Sequence, residues 1–103
     1  VTSDPIEIAI IGGSGFYSLL DDAESVSVTT PYGEPSGELT VGRLGGRRVG
    51  FLPRHGAGHK YPPHLVPYRA NLWALRSLGA RRVISLSAVG SLRADYGPGT
   101  LVA

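Results

Sequence analysis

The chain alternates short apolar runs with clusters of glycine, proline and small polar residues, and the apolar period changes along its length. Residues Ile6 to Ile11 form a β-branched run with Ala9 inside it, apolar on both faces and ended by Gly12 and Gly13. That is the pattern of a buried central strand. From Ser25 to Thr30, Val26 and Val28 alternate with small polar residues and predict a second strand. Pro31, Gly33, Pro35 and Gly37 punctuate a loop, after which Leu39, Val41 and Leu44 resume a period of two. Gly45 and Gly46 predict a tight reversal into Val49, Phe51 and Leu52, with Arg47 and Arg48 at the hairpin tip. The whole reads as a β-meander, not a βαβ unit.

A loop rich in Gly, His and Pro runs from His55 to Pro67, too broken for regular structure and too long for a simple connector, which makes it a candidate for function. Tyr68, Leu72, Leu75 and Leu78 then fall at steps of four, three and three, predicting one face of a helix that starts near Pro67 and stops at Gly79. Val83 to Leu86 reads as another buried strand, and Pro98 to Val102 as a turn opening a further one. A strand so close to the last residue needs a neighbour for its backbone groups. The expectation is one incomplete α/β domain, either a fragment or completed by something else.

Composition narrows the class. Hydrophobic residues make up 42% of the 103, with no low-complexity run, as in a globular protein. Ten Lys and Arg against eight Asp and Glu give a net charge of +2. The densest basic pair, Arg81 and Arg82, precedes an apolar strand and is not interleaved with aromatics, which argues against nucleic acid. No segment approaches the roughly 20 apolar residues of a membrane span, and the first residues lack a basic stretch followed by an apolar one. A cytoplasmic protein is expected. Without cysteine, neither disulfides nor thiolate metal sites are available.

Three segments could carry chemistry, and each follows a predicted strand. Gly12, Gly13, Ser14 and Gly15 would let the backbone turn and present N–H groups to an anion, with the Ser14 hydroxyl as a further donor; an unliganded Gly-rich turn fits equally. Gly13, Gly15 and Ser18 approximate a dinucleotide-binding spacing, but that reading needs a long helix next, and only Leu19 to Glu24 separate the motif from a strand. Arg54 and His55 offer a planar fork of donors and a tunable donor at one strand end, although such a pair is common on any surface. His59 and His64 lie nearby without a carboxylate or thiolate at ligand spacing, a poor basis for a metal site. Ser87 to Ser91, after Leu86, is a run of small residues at a strand mouth, where a flat ligand could approach the backbone. It also fits an ordinary tight turn. Its weight comes from combination, because three strand ends can converge at one edge of a sheet.

The blocks Ile11 to Tyr17, Thr30 to Ser36, Leu52 to His59, Tyr68 to Leu75 and Ala88 to Leu92, in this order and spacing, resemble the 5′-methylthioadenosine phosphorylase branch of the trimeric purine nucleoside phosphorylases. The resemblance implies an α/β fold with a mixed central β-sheet and flanking helices, residues 1–103 forming the N-terminal part of a single nucleoside phosphorylase domain. It implies phosphorolysis of purine nucleosides to free base and pentose 1-phosphate by a homotrimer. Inorganic phosphate is then a co-substrate, with no organic cofactor, no metal and no side chain assigned as acid or base. Carried over by residue, Ser14, Arg54, His55, Ser87 and Ala88 would hold phosphate, Ser87 standing where the family often has Thr. Val89 and Gly90 would line the purine and ribose pocket, and Tyr61, Pro62 and Pro63 would suit a methylthio group. The residues that read the base would lie beyond residue 103, and the chain would cover less than half of a family member. Two other readings stay open: a non-catalytic phosphate- or nucleotide-binding module, and a fragment inactive without the rest of its chain.

Overall fold

The computed structural model describes residues 4–13, 19–56, 58 and 60–103. Strands Ile8–Gly12 (β1), Asp21–Val26 (β2), Leu39–Leu44 (β3), Arg47–Pro53 (β4) and Arg82–Ser85 (β5) form one sheet in the order β2-β3-β4-β1-β5. The pairs β2–β3 and β3–β4 are antiparallel, as a meander requires, whereas β1 lies between β4 and β5 and is parallel to both. The sheet is therefore mixed, as expected. The helix Tyr68–Ser77 (α1) joins β4 to β5 and is the one α-helix among the described residues, where several flanking helices were implied.

The hairpin turns where the glycines allow it. Gly45 and Gly46 have φ of 59° and 79°, the paired positive values that match the strand twist. The tip is thus the glycine pair, and Arg47 and Arg48 are the first residues of β4 rather than the tip; Arg47 Nη1 donates to Glu7 Oε2 at 3.2 Å on the surface. The strand expected over Ser25 to Thr30 lies earlier, at Asp21–Val26, with an irregular register between Asp21 and Glu24. It is an exposed edge strand, where charged side chains keep their hydration and discourage further pairing. Val26 and Val28 still pack against the core. Because Asp21 already belongs to β2, residues 13–20 are all that separates it from β1, which leaves no room for the long helix of a dinucleotide fold.

The core is built from Ile6, Ala9, Ile11, Leu39, Val41, Leu52, Ala74, Leu75 and Ala80, the helix packing on one face of the sheet. On β1, Ala9 and Ile11 face this core while Ile8 and Ile10 are only half-buried on the opposite face. The helix is where expected, but its buried face is rotated: Ala70, Asn71, Ala74 and Leu75 are inward, whereas Tyr68 and Leu72 are both 52% exposed. Ala74 and Leu75 join the core and Asn71 is buried with a bonded amide, so the inward face departs from a stripe chosen by apolarity. Its end is a complete Schellman arrangement, with Gly79 N donating to Arg76 O at 2.9 Å and Ala80 N to Leu75 O at 3.2 Å. Gly79 takes φ of 104° there.

Three further expectations change. The loop from His55 to Pro67 contains a turn of 3-10 helix, Pro63–Leu65. The strand expected as buried over Val83 to Leu86 is β5, and it is exposed throughout, with Val83 and Ile84 at 45% and 47%. Within these residues it lies at the sheet edge and pairs with β1 alone. Residues 97–100 do turn, Thr100 N donating to Gly97 O at 3.2 Å, and residues 101–103 are not paired as a strand in this structure.

Candidate anion-binding site

In parallel strands the carboxyl ends share one edge of the sheet, so β4, β1 and β5 deliver their following residues to the same place. Two backbone hydrogen bonds extend the pairing past the strand ends: Arg54 N donates to Gly12 O at 3.1 Å, and Leu86 N to Ile11 O at 2.8 Å. Arg54 and His55 are the central residues of a turn closed by Gly56 N donating to Pro53 O at 3.1 Å. Proximity here is a consequence of strand order, since β1 had to insert between β4 and β5 to align the three ends.

The side chains complete the convergence. Arg54 Nη1 donates to Leu86 O at 2.9 Å and to Ser87 Oγ at 3.4 Å, reaching across the end of β1 to the end of β5. Its Nε lies 3.4 Å from His55 Nε2. His55 Nδ1 is 2.8 Å from Tyr61 O, and because a carbonyl can only accept, Nδ1 carries the hydrogen. Tyr61 N in turn donates to His55 O at 2.9 Å. Tyr61 thus clamps the ring through its backbone, a role that its aromatic side chain did not advertise. The guanidinium and the imidazole are partly buried and Ser87 is exposed, so the cluster has a fixed base and an open mouth.

Of the residues singled out in the sequence, Arg54, His55 and Ser87 are brought together. Ser14 and His59 lie outside the described residues. Ala88, Val89 and Gly90 continue from Ser87 as an exposed stretch; Val89 is 86% exposed, and a Cβ built on Gly90 meets nothing within 4 Å. Pro62, Pro63 and His64 are exposed. Among the described residues no group of three His, Cys, Asp or Glu is placed to hold a metal ion. No helix is long and apolar enough to cross a membrane. An open cavity of about 560 Å³, lined by Ile6, Glu7, Ile8, Arg76, Arg81 and Arg82 among others, lies at the opposite end of the parallel strands, far from the Arg54 cluster.

The sequence profile of the phosphorylase superfamily matches residues 7–103. The chain is 66% identical to a purine nucleoside phosphorylase of Streptomyces coelicolor over 93% of its own length and 34% of that protein's. It is 60% identical to an S-methyl-5′-thioadenosine phosphorylase of Hyperthermus butylicus, over 93% of its length and 36% of the relative's. In three dimensions it superposes on the crystal structure of a methylthioadenosine phosphorylase from an antarctic soil metagenomic library with a TM-score of 0.88 at 51% identity, covering 93% of this chain and 34% of that one. It spans about a third of the length of these relatives. With its profile, its sequence and its mixed sheet in agreement, the chain belongs to the phosphorylase superfamily, beside the purine nucleoside and methylthioadenosine phosphorylases.

Proposed function

We propose that these residues supply the phosphate side of a purine nucleoside phosphorylase acting on methylthioadenosine-like nucleosides. The observation that carries the reading is the reach of Arg54 from the end of β4 to Leu86 O and Ser87 Oγ at the end of β5, with His55 beside it. A planar guanidinium with five donors suits two oxygens of one phosphate. Ser87 accepts from Arg54, which leaves its own hydroxyl hydrogen to donate. With Nδ1 donating to Tyr61 O and Nε2 accepting from Arg54 Nε at 3.4 Å, His55 is assigned to the anion through Nε2, whose lone pair can take the proton of a hydrogen phosphate in place of the one from Arg54. Ser14 and the Ala88 backbone are assigned to the same anion, and Val89 and Gly90 to the purine and ribose.

In the reaction a phosphate oxygen bonds to C1′ as the bond from C1′ to the purine nitrogen breaks. The bonding pair leaves with the base, which takes up a proton, and the pentose departs as its 1-phosphate. Positive charge develops on the sugar in the transition state, and an anion fixed beneath it stabilises that charge while acting as the nucleophile. This needs no metal and no organic cofactor, only donors set in place beforehand. Chemistry by the whole protein requires base- and sugar-binding residues beyond this span, so the 103 residues alone are expected to be inactive. The resemblance further implies a homotrimer, and the cytoplasm is the location proposed for it. Arg54→Ala in the full-length protein is expected to lower phosphate-dependent turnover at least tenfold through a raised KM for phosphate; unchanged kinetics would refute the assignment.

A further inference from the structure

The segments Thr30 to Ser36 and Tyr68 to Leu75 meet at the back of the Arg54–His55 turn. Ser36, 4% exposed, donates its hydroxyl to Pro53 O at 2.6 Å and its backbone N–H to Asn71 Oδ1 at 2.8 Å. Asn71 is 1% exposed and stands in the first half of α1 among alanines. An amide buried at that depth is costly unless bonded, so this contact fixes the helix and the loop against each other. Pro53 O also accepts from Gly56 N, the bond that closes the turn around Arg54 and His55. Gly56 approaches so closely that a Cβ on it would lie 2.6 Å from Ser36 O. Upstream, Thr30 shapes the loop that delivers Ser36, its Oγ1 donating to Gly33 O at 2.6 Å and accepting from Tyr32 N at 3.0 Å.

We infer that Ser36 and Asn71 are positioning residues: a buried strut from α1 through Ser36 to Pro53 O sets the base of the turn and thereby aims the Arg54 guanidinium and the His55 ring. Neither touches the anion. This rests on the phosphate assignment made above. An active-site turn held only by its own closing bond would sample more than one orientation, and small displacements of a charged donor weaken binding of its ligand selectively.

The test is a kinetic cycle in the full-length protein with Ser36→Ala, Arg54→Ala and the double variant, varying inorganic phosphate and nucleoside separately. Ser36→Ala is expected to raise the KM for phosphate about fivefold to tenfold, the effect of losing one buried hydrogen bond, while the nucleoside KM and the kcat at saturating phosphate stay within about threefold. Added to Arg54→Ala, it should change the phosphate KM by less than about twofold, because its effect passes through Arg54. A rise shared equally by both substrates, an unchanged phosphate KM, or full additivity would overturn the inference. If Arg54→Ala itself leaves phosphate KM unchanged, the phosphate assignment fails and the inference with it; if Arg54→Ala raises it and Ser36→Ala does not, only the positioning role falls. Should Ser36→Ala not fold, Ser36→Cys, close in volume but a weak donor, carries the same expected outcomes.

Discussion

Gly79→Ala isolates the point where the helix, the chain leading into β1 and the sheet meet. Gly79 has φ of 104°, and a Cβ placed on it would lie 2.5 Å from Pro5 Cβ and 3.2 Å from Pro5 Cα. The same approach lets Ile6 N donate to Leu78 O at 3.0 Å, which delivers Ile6 to the core. An L-residue in a left-handed conformation costs about 1–2 kcal/mol, and forcing a methyl group into filled space adds about 1–3 kcal/mol. Together the loss should be about 2–5 kcal/mol, which at a urea dependence of about 2 kcal/mol/M lowers the unfolding midpoint by about 1–2.5 M. Gly45→Ala is the control: φ is 59°, but nothing lies within 4 Å of its Cβ, so only the conformational part applies. Urea unfolding of both variants at one protein concentration reads the difference. Equal midpoints for the two would refute the packing of Gly79 on Pro5.

Other outcomes follow from the core and the surface. Leu75→Ala, at a fully buried position in the core, should cost about 2–5 kcal/mol in the same urea assay, and a loss below about 1 kcal/mol would contradict the burial of Leu75. Arg93 donates to both oxygens of Asp95, at 2.9 and 2.6 Å, and this hydrogen bonding holds the Asp95 carboxyl below the ordinary aspartate value. Any stability the pair contributes is thus present above the unfolded aspartate value and lost as pH falls through the lower folded one. An NMR titration of Asp95 should show the lowered midpoint, and Arg93→Ala or molar salt should return it toward normal, because the pair is exposed and screened; an unmoved midpoint would contradict the contact.

What the sequence made legible is what is decided locally. The end of β1 at its glycines, the Gly45–Gly46 reversal and the Gly79 stop all follow from backbone conformation over a few residues. The inward face of α1 was not legible, because small side chains such as Ala70 and Ala74 carry little apolar signal, and Asn71 is buried where Ser36, 35 residues away, supplies its partner. Val83 and Ile84 predict burial, but burial also needs a covering layer, and periodicity does not say what supplies it. Arg54, His55 and Ser87 could be picked out because each follows a strand. Their meeting depended on β1 pairing in parallel between β4 and β5, a non-local choice that no periodicity records. The backbone clamp from Tyr61 and the strut from Ser36 to Pro53 O left no local signal, since in both the decisive acceptor is a main-chain carbonyl.

The most direct measurement is a crystal structure of the full-length protein with inorganic phosphate at saturating concentration. The phosphate oxygens should lie within about 3.2 Å of the Arg54 guanidinium, the His55 ring and Ser87 Oγ at the shared ends of β4, β1 and β5, with Ser14 completing the set. Phosphate bound at another edge of the sheet, with Arg54 and His55 turned away from it, would contradict the account.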